Sequence, residues 1–177
     1  MGRDKALLPW RGSTLLDHAV ARLRAACGSV RLLPGREGRY ATRGLPQDPD
    51  VWTNAGALGA VHTGLLSLPS GRGVFLAVDL PRVPAALLQR LLAHSLGYDA
   101  VVPVTAAGPE PLCAVYAASC REAIRRRIEG GQMKMTSFWP DVRVREVRAQ
   151  EIRDLGDPEL LFSNVNSPED WVALREP

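Results

Sequence analysis

The stretch Gly73-Val74-Phe75-Leu76-Ala77-Val78-Asp79-Leu80-Pro81-Arg82-Val83-Pro84 decides how the rest of the chain reads. Residues 73–78 form a continuous apolar run that ends abruptly at Asp79. A half-exposed strand alternates polar and apolar residues; an unbroken run reads as a central parallel strand covered on both faces. Leu80-Pro81 cannot easily extend that strand, and Pro84 sits where a helix would start, ahead of the apolar repeat of residues 84–94. In an open parallel sheet, ligands bind beyond the carboxyl ends of the strands. Asp79 is therefore the first candidate site residue. Its carboxylate suits Mg²⁺, which takes one or two carboxylates plus phosphate oxygens. It also suits the plainer task of capping the turn into the next helix.

The same alternation of strand and helix continues on both sides. Residues 13–27 repeat Leu16, Val20, Leu23 and Cys27 at helical spacing, with Ser13 or Thr14 as cap and Gly28 as stop. Residues 29–33 read as a short strand, 35–57 as a loop rich in Gly, Pro, Asp and Asn, and 58–68 as a buried helix. Residues 98–104 and 111–117 are further strands, 119–131 a helix ending on Gly-Gly, and 142–147 an alternating strand near an edge. Ser167 and Pro168 open a last short helix over 167–174. This order predicts an α/β domain of three layers with a mostly parallel, mixed sheet, spanning 1–177 as a single unit.

Composition narrows the function. The net charge is only +3 and the arginines are scattered, so no basic patch argues for nucleic acid. No apolar run approaches the ~18 residues of a membrane span, and the first residues lack a signal-peptide pattern. Cys27, Cys113 and Cys120 are odd in number and share no metal-type spacing. The first two fall in apolar runs and read as buried free thiols of a reduced, cytoplasmic protein. His18, His62 and His94 are isolated, each on or beside a helix, which argues against zinc.

Three further stretches can carry chemistry. In Asn54–Leu65 the small residues Gly56, Ala57, Gly59 and Ala60 would let a flat ligand approach the backbone, or serve tight packing between loop and helix. Asp48 and Asp50 flank a proline and could accept hydrogen bonds from a base or a ribose, or simply shape a surface turn. Lys5 is one of two lysines against twenty arginines. A lysine near a triphosphate supplies a mobile point charge for a departing pyrophosphate, and an ordinary exposed lysine at a frayed terminus would read the same.

Taken together, residues 1–18 (MGRDKALLPWRGSTLLDH), 54–66 (NAGALGAVHTGLL), 75–84 (FLAVDLPRVP) and 162–171 (FSNVNSPEDW) resemble, in order, the motifs of the molybdenum cofactor guanylyltransferase family. The resemblance implies a Rossmann-like nucleotidyltransferase fold and transfer of the guanylyl group of GTP to the phosphate of molybdopterin, with release of pyrophosphate. By position it implies Lys5 as a GTP-contacting lysine and Asp48 as the acidic residue ahead of the small-residue loop, with Asp50 close enough to compete for that register. It implies Gly56 as the first glycine of the loop, Asp79 as the Mg²⁺ ligand, and Asn164 and Asn166 on the pterin side. The loop here is Gly-Ala-Leu-Gly-Ala where the family has Gly-Pro-Leu-Ala-Gly.

The family also carries, just ahead of the position of Met1, a strand running into a Leu-Ala-Gly-Gly-x-Ser-x-Arg loop that wraps phosphates. Without that strand, neighbouring backbone groups would lose partners at roughly 1–3 kcal/mol each. Met1 is accordingly expected to be an internal methionine, with the natural start upstream. Three alternatives stay open at this point. They are a CTP-dependent cytidylyltransferase, a guanylyltransferase for another small phosphate, and a non-catalytic paralogue. Transient contacts with other proteins of molybdenum cofactor biosynthesis are expected, and none with nucleic acid or membrane.

Overall fold

The structure, a computed structural model, describes residues 4–36, 38–68, 71–165 and 170. Asn166 and all but Asp170 of the helix expected over 167–174 lie outside the described residues. After a single 3-10 turn at Lys5–Leu7, strands β1 (Pro9–Trp10) and β2 (Ser13–Thr14) form a small hairpin around the turn Arg11-Gly12. Helix α1 (Leu15–Cys27) follows. Its start is fixed by a capping box in which Thr14 Oγ1 accepts from the Asp17 amide and the Asp17 carboxylate accepts from the Thr14 amide. Gly28, at φ 80°, ends it.

Helix α2 (Gly56–Leu66), strand β3 (Arg72–Leu76), helix α3 (Ala85–Ala93) and strands β4 (Ala100–Thr105), β5 (Gly108–Pro109) and β6 (Cys113–Ala117) come next. Helix α4 (Cys120–Glu129), strand β7 (Val144–Arg148) and the short helix α5 (Pro158–Leu161) complete the described elements. Pro84 is the residue before α3 rather than its first residue, and α5 is an element the sequence pattern did not announce. Residues 29–33 make only one bridge, Leu32 to Gln47, in place of the expected strand.

The sheet runs β3, β6, β4, with β7 paired to β4. Three pairings are antiparallel (β3 with β6, β4 with β6, β4 with β5), and only β4 with β7 is parallel. The mostly parallel sheet read from the sequence is therefore not what these strands form; the described sheet is mixed. The cause is local. The chain turns back sharply between Thr105 and Gly108, so β5 and β6 return antiparallel and β6 slots between β3 and β4. The register shifts between β5 and β6, and Glu110–Leu112 bulge out of the ladder.

Side-chain alternation builds the three layers. Ala100, Val102, Ala114 and Tyr116 face α2 and α4, while Val101, Cys113 and Val115 face α3 and the end of α1. β6 is fully buried, whereas β3 is half-buried along most of its length. The apolar run that looked most central thus has one described strand neighbour. Its unbroken hydrophobicity serves helix contacts on both faces, Phe75 toward α2 and Val74 and Leu76 toward α3. Cys113 and Cys120 are buried, but Cys27 is exposed at the last turn of α1, contrary to the sequence reading. No helix among the described residues is long and apolar enough to cross a membrane.

One close approach fixes how α2 meets its own leading loop. A Cβ at Gly59 would lie 2.7 Å from Ala55 Cβ and 3.4 Å from Trp52 Cβ. Gly59→Ala gains roughly 1 kcal/mol of helix propensity. The clash is with atoms fixed to the backbone and costs more, typically about 1–3 kcal/mol for overpacking. The variant should therefore unfold at lower urea than the parent, and a raised midpoint would refute this account of the loop.

Candidate functional site

Asp79 closes the turn that follows β3, half-buried, and its carboxylate makes no hydrogen bond or ion pair with a described residue. Two contacts hold the backbone around it. The Asp79 carbonyl accepts a hydrogen bond from the Val165 amide at 3.0 Å, which ties the Asn164-Val165 segment to the end of β3. From below, Arg22 on α1 acts as a clasp. Its Nη1 donates to the carbonyls of Leu80 (2.9 Å), Pro81 (2.8 Å) and Val83 (2.9 Å), and its Nε to His18 (3.0 Å). Burial pushes the Arg22 guanidinium down to about 10, so it stays charged at neutral pH. A lone arginine in an amphipathic helix gives no sequence signal for this role.

Glu110 is the second acidic group here. The bulge between β5 and β6 aims it toward the end of β3, where the Ala77 amide bonds the Leu112 carbonyl. Burial first, then the charges of Glu159 and Asp79, push the Glu110 carboxyl above its usual range. Sequence reasoning missed Glu110, because the bulge that places it is a property of the pairing. Asn164 is exposed beside this edge.

The segment carrying Lys5 packs alongside. Asp4 caps the 3-10 turn through the Ala6 amide (3.1 Å) and binds Arg39 Nε (3.1 Å) and the Tyr40 hydroxyl (3.1 Å). Asp4 is thus occupied as a structural clamp. Ala6, next to Lys5, lies in one apolar cluster with Leu16, Leu32 and Val78, the residue before Asp79. Trp10 and Leu15 cluster with Val165. The N-terminal turn, the end of β3 and the Asn164 segment therefore share one neighbourhood.

The loop before α2 separates the two aspartates. Asp48 is taken by Arg31 in a two-pronged pair with both contacts at 2.6 Å, which holds its carboxyl below the usual range. Asp50 has a buried Oδ1 with no partner, and burial pushes its carboxyl up. Asp48 is thus committed to Arg31, whereas Asp50 is not committed to a guanidinium.

Gly56 is exposed at φ 56°, with open space where a Cβ would stand. Its glycine is required by the backbone turn, shared with Asn54 at φ 64°, whereas Gly59 answers to packing. Trp52 Nε1 donates to His62 Nδ1 at 2.9 Å and pins this loop to α2, and burial pushes the His62 ring toward its neutral form.

The described residues hold no group of three or more His, Cys, Asp or Glu placed to bind a metal. A single carboxylate without a partner beside a second acidic group fits a cation that completes its shell with water and phosphate oxygens, as Mg²⁺ does.

The model of the MobA-like NTP transferase domain matches residues 1–143. A Pelotomaculum thermopropionicum protein named "probable molybdenum cofactor guanylyltransferase" is 31% identical over 99% of this chain and 85% of its own length. Molybdopterin-guanine dinucleotide biosynthesis protein A from Archaeoglobus fulgidus superposes with a TM-score of 0.83 at 22% identity, covering 98% of this chain and 89% of that one. A Mycobacterium tuberculosis protein solved with manganese gives a TM-score of 0.66 at 19% identity, covering 98% and 92%. At these identities the two structures speak to the fold.

If Arg22 holds the 80–83 turn, Arg22→Met strands three carbonyls. It should cost roughly 1.5–3 kcal/mol, the range for hydrogen bonds to a charged group. Arg22→Lys keeps the charge but loses the Nε bond to the His18 carbonyl and should recover only part of that. Urea midpoints of the three proteins check it, and an unchanged Arg22→Met midpoint would remove the clasp.

Proposed function

The chain belongs to the MobA-like NTP transferase domain family, and on that premise we propose that it is a molybdenum cofactor guanylyltransferase, moving GMP from GTP to the phosphate of molybdopterin. The observation that carries the reading is the Val165–Asp79 bond. It brings the Asn164 segment against a half-buried carboxylate at the end of β3, with the Lys5 turn packed beside both. The 31% identical relative carries the same activity in its name.

In this reading an oxygen of the acceptor phosphate forms a bond to the α-phosphorus of GTP. The bond from that phosphorus to the pyrophosphate oxygen breaks, and nothing is oxidised or reduced. Such a transfer needs positioning and charge neutralisation and no covalent enzyme intermediate. The scattered histidines and the two buried thiols are consistent with that.

Asp79 would hold a divalent cation, with Glu110 nearby; the M. tuberculosis neighbour was solved with manganese, and Mg²⁺ is our assignment here. When bound, the cation would neutralise phosphate charge. Lys5 would face the departing pyrophosphate, and the exposed turn at Gly56 would give the base a backbone edge free of side chain. Asp50, rather than Asp48, would accept from the base or ribose. Asn164 would orient the acceptor, with Asn166 assigned by resemblance only. GTP is chosen over CTP on the same basis, and competition between the two nucleotides tests the choice.

Asp79→Asn should lower turnover by a hundredfold or more, on the order of the loss of a group that stabilises transferring charge, while its urea midpoint stays close to the parent's. Near-parental turnover would take Asp79 out of the metal role. Asp50→Asn should raise KM for GTP. Asp48→Asn should leave that KM unchanged and cost less than about 1 kcal/mol of stability, as exposed ion pairs do. The reverse pattern would return the site to Asp48.

A further inference from the structure

A pocket of about 490 Å³ opens on the far side of the 81–84 turn, between the β1–β2 hairpin, the first turns of α1 and the start of α5. That size suits a small-molecule ligand. Its polar lining is Arg11, His18, Arg22, Arg82 and Asp157, with Trp10 as its aromatic wall. Three guanidinium groups thus face one carboxylate, and Asp157 is already engaged in capping α5 through the Glu159 amide at 3.0 Å.

What sets the pocket apart is that its guanidiniums converge on one concavity. Elsewhere arginines are of both kinds: Arg31, Arg43, Arg90 and Arg127 are paired with Asp48, Asp17, Asp154 and Asp141, while Arg24, Arg72 and Arg153 stand apart on the surface without an acid among the described residues. Arg11 and Arg82 make no hydrogen bond or ion pair with a described residue, and Arg11 instead lies 4.8 Å over the Trp10 ring. Arg22 spends Nη1 on three carbonyls, yet its Nη2 is buried with no partner. Arg11 also sits at φ 45°, in the left-handed region, ahead of Gly12 at φ 80°. A two-residue hairpin turn of that kind favours Asn-Gly, and a bulky side chain there is strained. Arginine at the strained position keeps a cation at the pocket mouth.

We propose that this pocket is a phosphate-binding site, gripping the anion with Arg11 and Arg82, with the charge of Arg22 behind them, and resting an attached ring against Trp10 and Leu160. Guanidinium groups suit this task through two-pronged hydrogen bonds to phosphate oxygens. The pocket shares the 81–84 turn with Asp79 and α5 with the Asn164 segment. Its phosphate thus comes either from the acceptor, as a ring-bearing monoester, or from the released pyrophosphate. That link to the reaction rests on the proposed function; the phosphate site itself does not.

Isothermal titration of the intact chain tests it, with a non-hydrolysable GTP analogue present to fill any nucleotide cleft. The probes are phenyl phosphate, inorganic phosphate and pyrophosphate. Saturable binding in the millimolar range or tighter is expected, weakened about tenfold by Arg11→Gln and by Arg82→Gln, each the loss of roughly 1.4 kcal/mol. Arg11 is exposed and Arg82 half-buried, and neither makes a hydrogen bond or ion pair with a described residue, so the variants should keep the parental urea midpoint. Phenyl phosphate binding tighter than pyrophosphate assigns the site to the acceptor, and the opposite order assigns it to the product. No saturable binding to the parent, or equal binding by the parent and both variants, overturns the proposal. Because these readouts need no turnover, an absent guanylyl transfer would sink the proposed function and leave this result standing.

Discussion

The cluster of hydrogen bonds from Arg22 Nη1 to the carbonyls of Leu80, Pro81 and Val83 is the constraint on which the site depends. A turn holding two prolines has few amides to bond itself, so its carbonyls need donors from elsewhere. A single buried cation on a neighbouring helix meets several of them at once. The guanidinium gains hydrogen bonds that offset part of its desolvation, and the turn gains a fixed shape. Asp79 inherits that shape from one side, and from the other its own carbonyl is bonded by Val165. The carboxylate is thus held by its backbone while its oxygens stay uncommitted, the state a ligand-binding acid requires.

The mixed sheet serves the same end. Because β6 returns antiparallel between β3 and β4, the bulge at Glu110–Leu112 falls level with the end of β3 and not at a remote edge. A second acidic side chain is thereby delivered to the Asp79 neighbourhood without any sequence motif. Burial raises Glu110, and the charges of Asp79 and Glu159 raise it further. Negative charge concentrated in this way is unfavourable alone and relieved by a cation, which links the sheet topology to the metal chemistry of the proposed reaction.

What the sequence disclosed, and what it withheld, divides along range of interaction. The start of α1 was legible because Thr14 and Asp17 are three residues apart and cap through local geometry. β4 and β6 were legible because their apolar runs are short, buried and bounded by turns. Asp79 was legible because it breaks such a run. Pairing direction was not, since nothing in the residues 73–78 says which neighbour will lie alongside. Nor was the pairing that sets Asp48 apart from Asp50. Both sit two apart around Pro49, and only the arrival of Arg31 from seventeen residues away commits one of them. Gly56 and Gly59 looked alike as small residues, but one answers to a positive φ and the other to a neighbour's Cβ. Local patterns carry local structure, and the partners of long charged side chains are decided by the fold.

That division bears on how charge is used across the molecule. With twenty arginines against nineteen acids, pairing could in principle be nearly complete. Ion pairs at the surface contribute little to stability, typically about 0–1 kcal/mol each. Their distribution is nonetheless informative, because a guanidinium left without a carboxylate keeps its full field for an incoming anion. Arg31, Arg90 and Arg127 hold loops and helices together through their partners. Arg11 and Arg82 converge on a single concavity with no acid partner among the described residues, and Arg22 lines it behind them. The same residue type therefore does structural work where it meets an acid or, as Arg22 does, a set of carbonyls, and in this one concavity it is left to the phosphate proposed above.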